Sequence, residues 1–114
     1  MIKTKAEINV KEEPNDQGGT LMTFANLKDF EGINPKLKMY SRVNLFPGQE
    51  VSYHLHDGNS ELYYILAGKG TYNDNGKEME VTEGTVTFTP SGSSHGLKNT
   101  GDDVLEFIAL IILD

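Results

Sequence analysis

The stretch of this chain that decides its fold is residues 48–68, GQEVSYHLHDGNSELYYILAG. It starts and ends on glycine and breaks once, at Asp57-Gly58. Val51, Tyr53 and Leu55 alternate with Ser52, His54 and His56, the period-2 pattern of a strand. Leu62 to Leu66 is apolar at every position. It reads as a strand covered on both sides, by a barrel interior on one and a second layer on the other. Upstream, Leu37, Met39, Val43 and Leu45 alternate with Lys38, Tyr40, Arg42 and Asn44. Downstream, residues 70–82 read as a hairpin around Asn75-Gly76. Thr85 to Thr89 is a short strand with Val86 and Phe88 on one face, and Val104 to Leu113 is apolar on both faces apart from Glu106.

Turn signals punctuate these runs about every eight to twelve residues, the rhythm of all-β sandwiches and barrels. They include Pro14-Asn15, Gly18-Gly19, Pro47-Gly48, Pro90-Ser91-Gly92 and Gly101-Asp102. Pro47-Gly48 suits a type II turn. Helical signal is thin: Ala25 to Phe30 has room for one turn before Gly32 and Pro35 stop it. Residues 1–20 carry mixed charge and little pattern and read as an N-terminal arm or edge strand. Residues 21–114 read as a single β-barrel domain.

Composition narrows the chemistry. The 114 residues make one ordinary domain. Ten Lys and Arg against 17 Asp and Glu give a net charge of −7, and Arg42 is the only arginine. Such a balance repels phosphate backbones, so no nucleic acid partner is expected. Cysteine is absent, so any metal must be held by nitrogen and oxygen, which excludes iron–sulfur clusters and thiolate zinc. No leader-like apolar segment follows Met1. The longest apolar run, Phe107 to Leu113, falls far short of the roughly 20 residues of a membrane span. The expectation is a cytoplasmic protein with no membrane partner.

All three histidines lie between residues 54 and 95. His54 and His56 share a strand face, their Cα atoms roughly 6.6 Å apart at the strand rise. Two imidazoles at that spacing can converge on one cation. Glu61 begins the next strand, and a hairpin at Asp57-Gly58 would return its carboxylate beside the pair. His95, after the Pro90 turn, could bring a third imidazole from another strand. A lone His-x-His is usually just a pair of solvated or core side chains; it is the frame around this one that is specific.

That frame consists of two continuous patterns. The first runs Gly48, five residues, His54-x-His56, four residues, Glu61, six residues, Gly68. The second runs Gly84, five residues, Pro90-x-Gly92, two residues, His95, three residues, Asn99. In order and spacing they resemble the two motifs of the cupin superfamily, with every motif position matched over residues 48–99. The resemblance implies a double-stranded β-helix (jelly-roll) barrel of the small single-domain kind. It also implies one divalent metal held by His54, His56, Glu61 and His95.

Four such donors leave one or two positions of an octahedral ion open to a ligand. Without thiolates, Fe, Mn, Ni, Zn, Co and Cu all suit the set. Tyr63 and Ile65 share the Glu61 face and are expected to line the cavity; Arg42 could orient an anionic ligand if its face turns inward. Asn99 is expected to satisfy backbone groups in its own turn. The functional expectation is a metal-dependent enzyme of oxygenase, isomerase or lyase type acting on a small carboxylate or carbonyl compound. The alternative is a non-catalytic small-molecule-binding or sensing module. The apolar outer positions Leu62, Tyr64 and Leu66 point to a homodimer, as does the resemblance.

Overall fold

The alternation in residues 37–45 becomes a nine-residue strand, β3 (Leu37–Leu45), whose odd positions Ser41, Val43 and Leu45 are buried. The computed structural model describes residues 1–14 and 22–114. The turn signals at Asn15 and Gly18-Gly19, and the expected boundary between residues 20 and 21, lie outside the described residues. Before β3 come β1 (Val10–Glu13) and β2 (Met22–Asn26); after it come β4 (Glu50–Leu55), β5 (Asn59–Ala67) and β6 (Lys69–Asp74). The chain continues through β7 (Lys77–Thr82), β8 (Val86–Thr89), β9 (Ser94–Asn99) and β10 (Leu105–Leu113). They form a six-stranded sheet in the order β1-β2-β3-β10-β5-β8 and a four-stranded sheet in the order β4-β9-β6-β7. Every pairing is antiparallel.

From β3 onward the chain passes repeatedly from one sheet to the other, which is the winding of a double-stranded β-helix. The turns make these passages possible. At Pro47-Gly48 the amide of Gln49 donates to the carbonyl of Phe46 at 3.0 Å and Gly48 has φ 85°, the expected type II geometry. At Gly68, with φ 86°, a Cβ would stand 2.5 Å from the carbonyl oxygen of Val104. Only glycine allows β5 to turn there against the start of β10. β6 and β7 form the expected hairpin, paired from Lys69↔Thr82 to Asp74↔Lys77.

The two sheets close on a core of Val43, Leu45, Tyr63, Ile65, Tyr72, Val81, Leu97, Leu105, Phe107 and Ala109. Both sheets contribute, so neither face would be stable alone. Asn99 is buried and ties the turns together as expected. Its amide donates to the carbonyls of Leu45 and Asp103, and its oxygen accepts from the Gly101 amide.

Two expectations change. Ala25 and Asn26 belong to β2, not to a helical turn, because their partners on β3 are Arg42 and Ser41 and the ladder continues with Leu27 donating to Tyr40. The one helical turn among the described residues is a 3-10 turn, Lys5–Glu7, where the Thr4 hydroxyl and amide both reach Glu7 Oε1. The outer faces of β5 and β8 carry no second layer from the described residues: Tyr64 is 47% exposed and Phe88 56%. The arm adds an edge strand, β1, to the end of the sheet and does not cover its face.

Candidate metal centre

The site is assembled from both sheets. His54 stands on β4 and His95 on β9, directly opposite one another in the ladder. His56 follows the end of β4, and Glu61 lies on the inner face of β5, in the other sheet. Glu61 therefore does not return through a hairpin beside the histidines. The chain crosses between sheets after Asp57-Gly58, and the carboxylate meets the imidazoles from across the barrel.

A bulge sets the orientation of the histidines. Val51 pairs with Leu97 and His54 with His95, so β4 uses one more residue than β9 over this span. The extra residue reverses the alternation. Val51 packs against the core while His54 and His56 also face inward, and Tyr53 and Leu55 turn out to solvent. The bulged backbone presses on Gly96, where a Cβ would lie 3.0 Å from both the Cα and the amide nitrogen of Tyr53.

The imidazoles are each held from behind. His54 Nδ1 lies 2.6 Å from the carbonyl of Ser52, which can only accept, so Nδ1 carries the proton. His56 Nδ1 lies 2.5 Å from Asn59 Oδ1, and the amide nitrogen of Asn59 reaches the Asp57 carbonyl, which fixes its orientation. His95 Nδ1 meets the Tyr72 hydroxyl at 2.7 Å and Thr89 Oγ1 at 2.9 Å. With Nδ1 protonated, the Nε2 lone pairs turn into one small space.

There the donors crowd. His56 Nε2 is 3.1 Å from His54 Nε2 and 2.9 Å from His95 Nε2; Glu61 Oε1 is 3.1 Å and 2.9 Å from the Nε2 atoms of His56 and His95. All four donor atoms lie within 4.8 Å of one another. Acceptors this close repel unless a proton or a cation sits between them. For donors about 2.1 Å from an ion, right-angle neighbours stand about 3.0 Å apart, against about 3.4 Å for a tetrahedron. These four spacings match the right-angle case. These residues could hold one six-coordinate divalent ion with positions left for a ligand.

Glu61, His56 and His95 are buried, and His54 is the most accessible of the four. Tyr63 lies beside them with its ring centroid 5.0 Å from that of His95. Burial, and then the neighbouring Glu61 carboxylate, push its phenol well above the ordinary range, so the hydroxyl stays protonated at neutral pH.

A cavity of about 340 Å³ opens over the donors. Tyr63 lines it. Ile65 does not: it is fully buried one layer deeper, in the core between the sheets. Arg42 is also outside, because the even positions of β3 face away from the interior, and its guanidinium pairs with Glu106 at 2.6 Å. The sequence reading missed Tyr72, Thr89, Asn59 and Ser52 as supports of the rings, and Met22, Phe24 and Met39 as cavity wall. Of these, Asn59 alone carries a local signal, three residues after His56 in the same turn.

Two antiparallel sheets wound into a barrel, with three imidazoles and one carboxylate converging inside, define the class of small β-barrel proteins built around a metal-type donor cluster. The comparisons agree: the Cupin domain family matches residues 41–111. This chain belongs to that family. It is 41% identical, over 99% of its length and 94% of the relative's, to a Thermotoga maritima protein described as an oxalate-binding protein. A crystal structure from Thermotoga maritima, described as a predicted oxalate decarboxylase, superposes with a TM-score of 0.89 at 41% identity, all of both chains being covered. A cupin domain from Schizosaccharomyces pombe matches with a TM-score of 0.76 at 20% identity, covering 97% of this chain and 72% of that one, a likeness of fold alone.

Proposed function

We propose that this chain holds one divalent transition metal through His54, His56, Glu61 and His95, and that a small carboxylate or carbonyl compound enters the cavity and binds to it. The observation that carries the reading is the set of right-angle donor spacings facing a 340 Å³ cavity, which favours an ion with open positions over a closed structural site. The resemblance to a protein described as oxalate-binding supports a chelating carboxylate. Such an ion would supply a Lewis acid to the bound oxygen atoms. Tyr63 would offer a protonated hydroxyl beside them. In this reading the protein is a metal-dependent enzyme of oxygenase, isomerase or lyase type.

One observation favours the other reading, a module that holds its ligand and releases it unchanged. Beyond the four donors, the described cavity wall offers only Glu50 and Tyr63 as titratable groups, a sparse set for proton transfer. The experiment is done in two stages. Metal analysis of protein purified without chelator should show about one ion per chain in the wild type and little in His56→Ala. Oxalate should then change the visible spectrum of the cobalt-loaded protein. Equal metal in both proteins refutes the donor assignment, and recovery of every trial carboxylate unchanged selects the binding module.

We further propose that the chain works as a homodimer through the outer face of the six-stranded sheet. Cross-strand register places Tyr40, Leu110, Leu62 and Phe88 in one row and Arg42, Ile108, Tyr64 and Val86 in the next. Only Arg42 in these rows is charged, and Glu106 neutralises it. Two copies of a chain with net charge −7 can therefore meet here without setting their acidic residues against one another.

A further inference from the structure

The cavity over the donors says more about its ligand than the metal-binding end does. At about 30 Å³ per liquid water, 340 Å³ is room for roughly ten waters, so a two-carbon diacid would occupy only a small part of it. The apolar part of the wall is made by Met22 and Phe24 of β2, Met39 of β3, Val51 of β4, and Phe107 and Ile111 of β10. Among the described residues that line it there is no lysine or arginine, and beyond the donors the charged residue is the acidic Glu50. An anionic group held away from the ion would lose its hydration with no cation on this wall to replace it. An apolar group in the same place gains by leaving water and packs against thioether and aromatic side chains that adapt to its shape.

Building on the proposal that the metal centre holds a small carboxylate or carbonyl ligand, we propose that this ligand is a 2-oxo or 2-hydroxy monocarboxylate. Its chelating end meets the ion and its apolar body lies against Met22, Phe24 and Met39. A compact diacid satisfies the ion and leaves this wall unfilled. These three residues belong to the six-stranded sheet, so they and the histidine donors come from different sheets, while Glu61 shares theirs.

The test titrates the cobalt-loaded, full-length protein with pyruvate, 2-oxobutanoate and 4-methyl-2-oxopentanoate, followed by visible absorption, with oxalate as reference. The chelating end is constant through the series. Kd should fall about fourfold for each added carbon, the equivalent of about 0.8 kcal/mol, and so about 60-fold from first to last. Met39→Gln should flatten that slope. If Kd is flat or rises along the series while pyruvate and oxalate still shift the spectrum, the apolar-body proposal is overturned and the ligand-holding reading survives. If neither oxalate nor any 2-oxo acid shifts the spectrum of protein shown to contain cobalt, both are overturned. The wild-type series decides the matter even if Met39→Gln does not fold.

Discussion

At the scale of single residues, the donor set depends on atoms that never face the cavity. His95 is fully buried, and its Nδ1 is held by the hydroxyls of Tyr72 and Thr89, which also bond one another at 2.9 Å. These contacts fix the ring plane and present Nε2 to Glu61 and His56. Groups of this kind typically contribute a factor of about 10 to 100 in metal affinity. Tyr72→Phe keeps the ring that packs near Tyr63 and removes only the hydroxyl. It should weaken metal binding about tenfold, the low end of that range because Thr89 remains, and leave thermal stability nearly unchanged. A competition titration against a chromophoric chelator reads the change; unaltered affinity would mean that packing alone orients His95.

At the scale of elements, the β4 bulge converts a strand pattern into a site. A regular β4 paired with β9 in constant register could not turn both Val51 and His54 inward, because their positions differ by three. Gly96 is what lets the bulged backbone lie close to β9. Gly96→Ala puts a methyl 3.0 Å from the Tyr53 backbone, and backbone cannot swing aside as a side chain can. A loss of about 1–3 kcal/mol in urea unfolding is expected, as for an overpacked interior, together with weaker metal binding because His54 and His95 share that ladder. Gly68→Ala serves as the contrast. Its Cβ meets the Val104 carbonyl at 2.5 Å from a positive φ, so it should destabilise at least as much, while the residual folded protein keeps its metal affinity. Equal loss of affinity in the two variants would show that Gly96 acts through global stability only.

At the scale of the whole molecule, the barrel leaves an apolar face without a cover of its own among the described residues. Phe88 and Val86 on β8 are 56% and 63% exposed and stand beside Leu62 and Tyr64. On a second copy they would find a matching surface, since a two-fold axis sets the same patch against itself. Light scattering should give twice the chain mass at micromolar concentration. Phe88→Lys, which points outward and leaves the core untouched, should shift the protein to monomer while keeping the fold by circular dichroism. A wild type that stays monomeric at every concentration rules the dimer out.

Most of the strands and turns, and the four residues able to meet a cation, are written in local chemistry; β2 is not, since its pairing with β3 overrides the helical signal of Ala25 to Phe30. The alternation of residues 37–45, the Pro47-Gly48 turn, and the His54, His56, Glu61 and His95 frame can be read without any knowledge of neighbours in space. Whatever depends on which strand lies beside which is absent from that record and emerges only on folding. Ile65 and Tyr63 share a face and a pattern, yet one is sealed in the core and the other reaches the cavity, because depth along the barrel axis leaves no trace in alternation. Arg42 faces outward because β3 gives its odd positions to the interior, and its partner Glu106 lies 64 residues away. Tyr72 reaches His95 only because β6 pairs with β9, and Glu61 reaches it only because β5 faces them from the opposite sheet. Local sequence encodes backbone preference and the alternation of faces; which face turns inward, the bulge that resets it in β4, the metal-type site and the apolar wall above it arise from long-range pairing, whose energy is shared among strands distant in the chain.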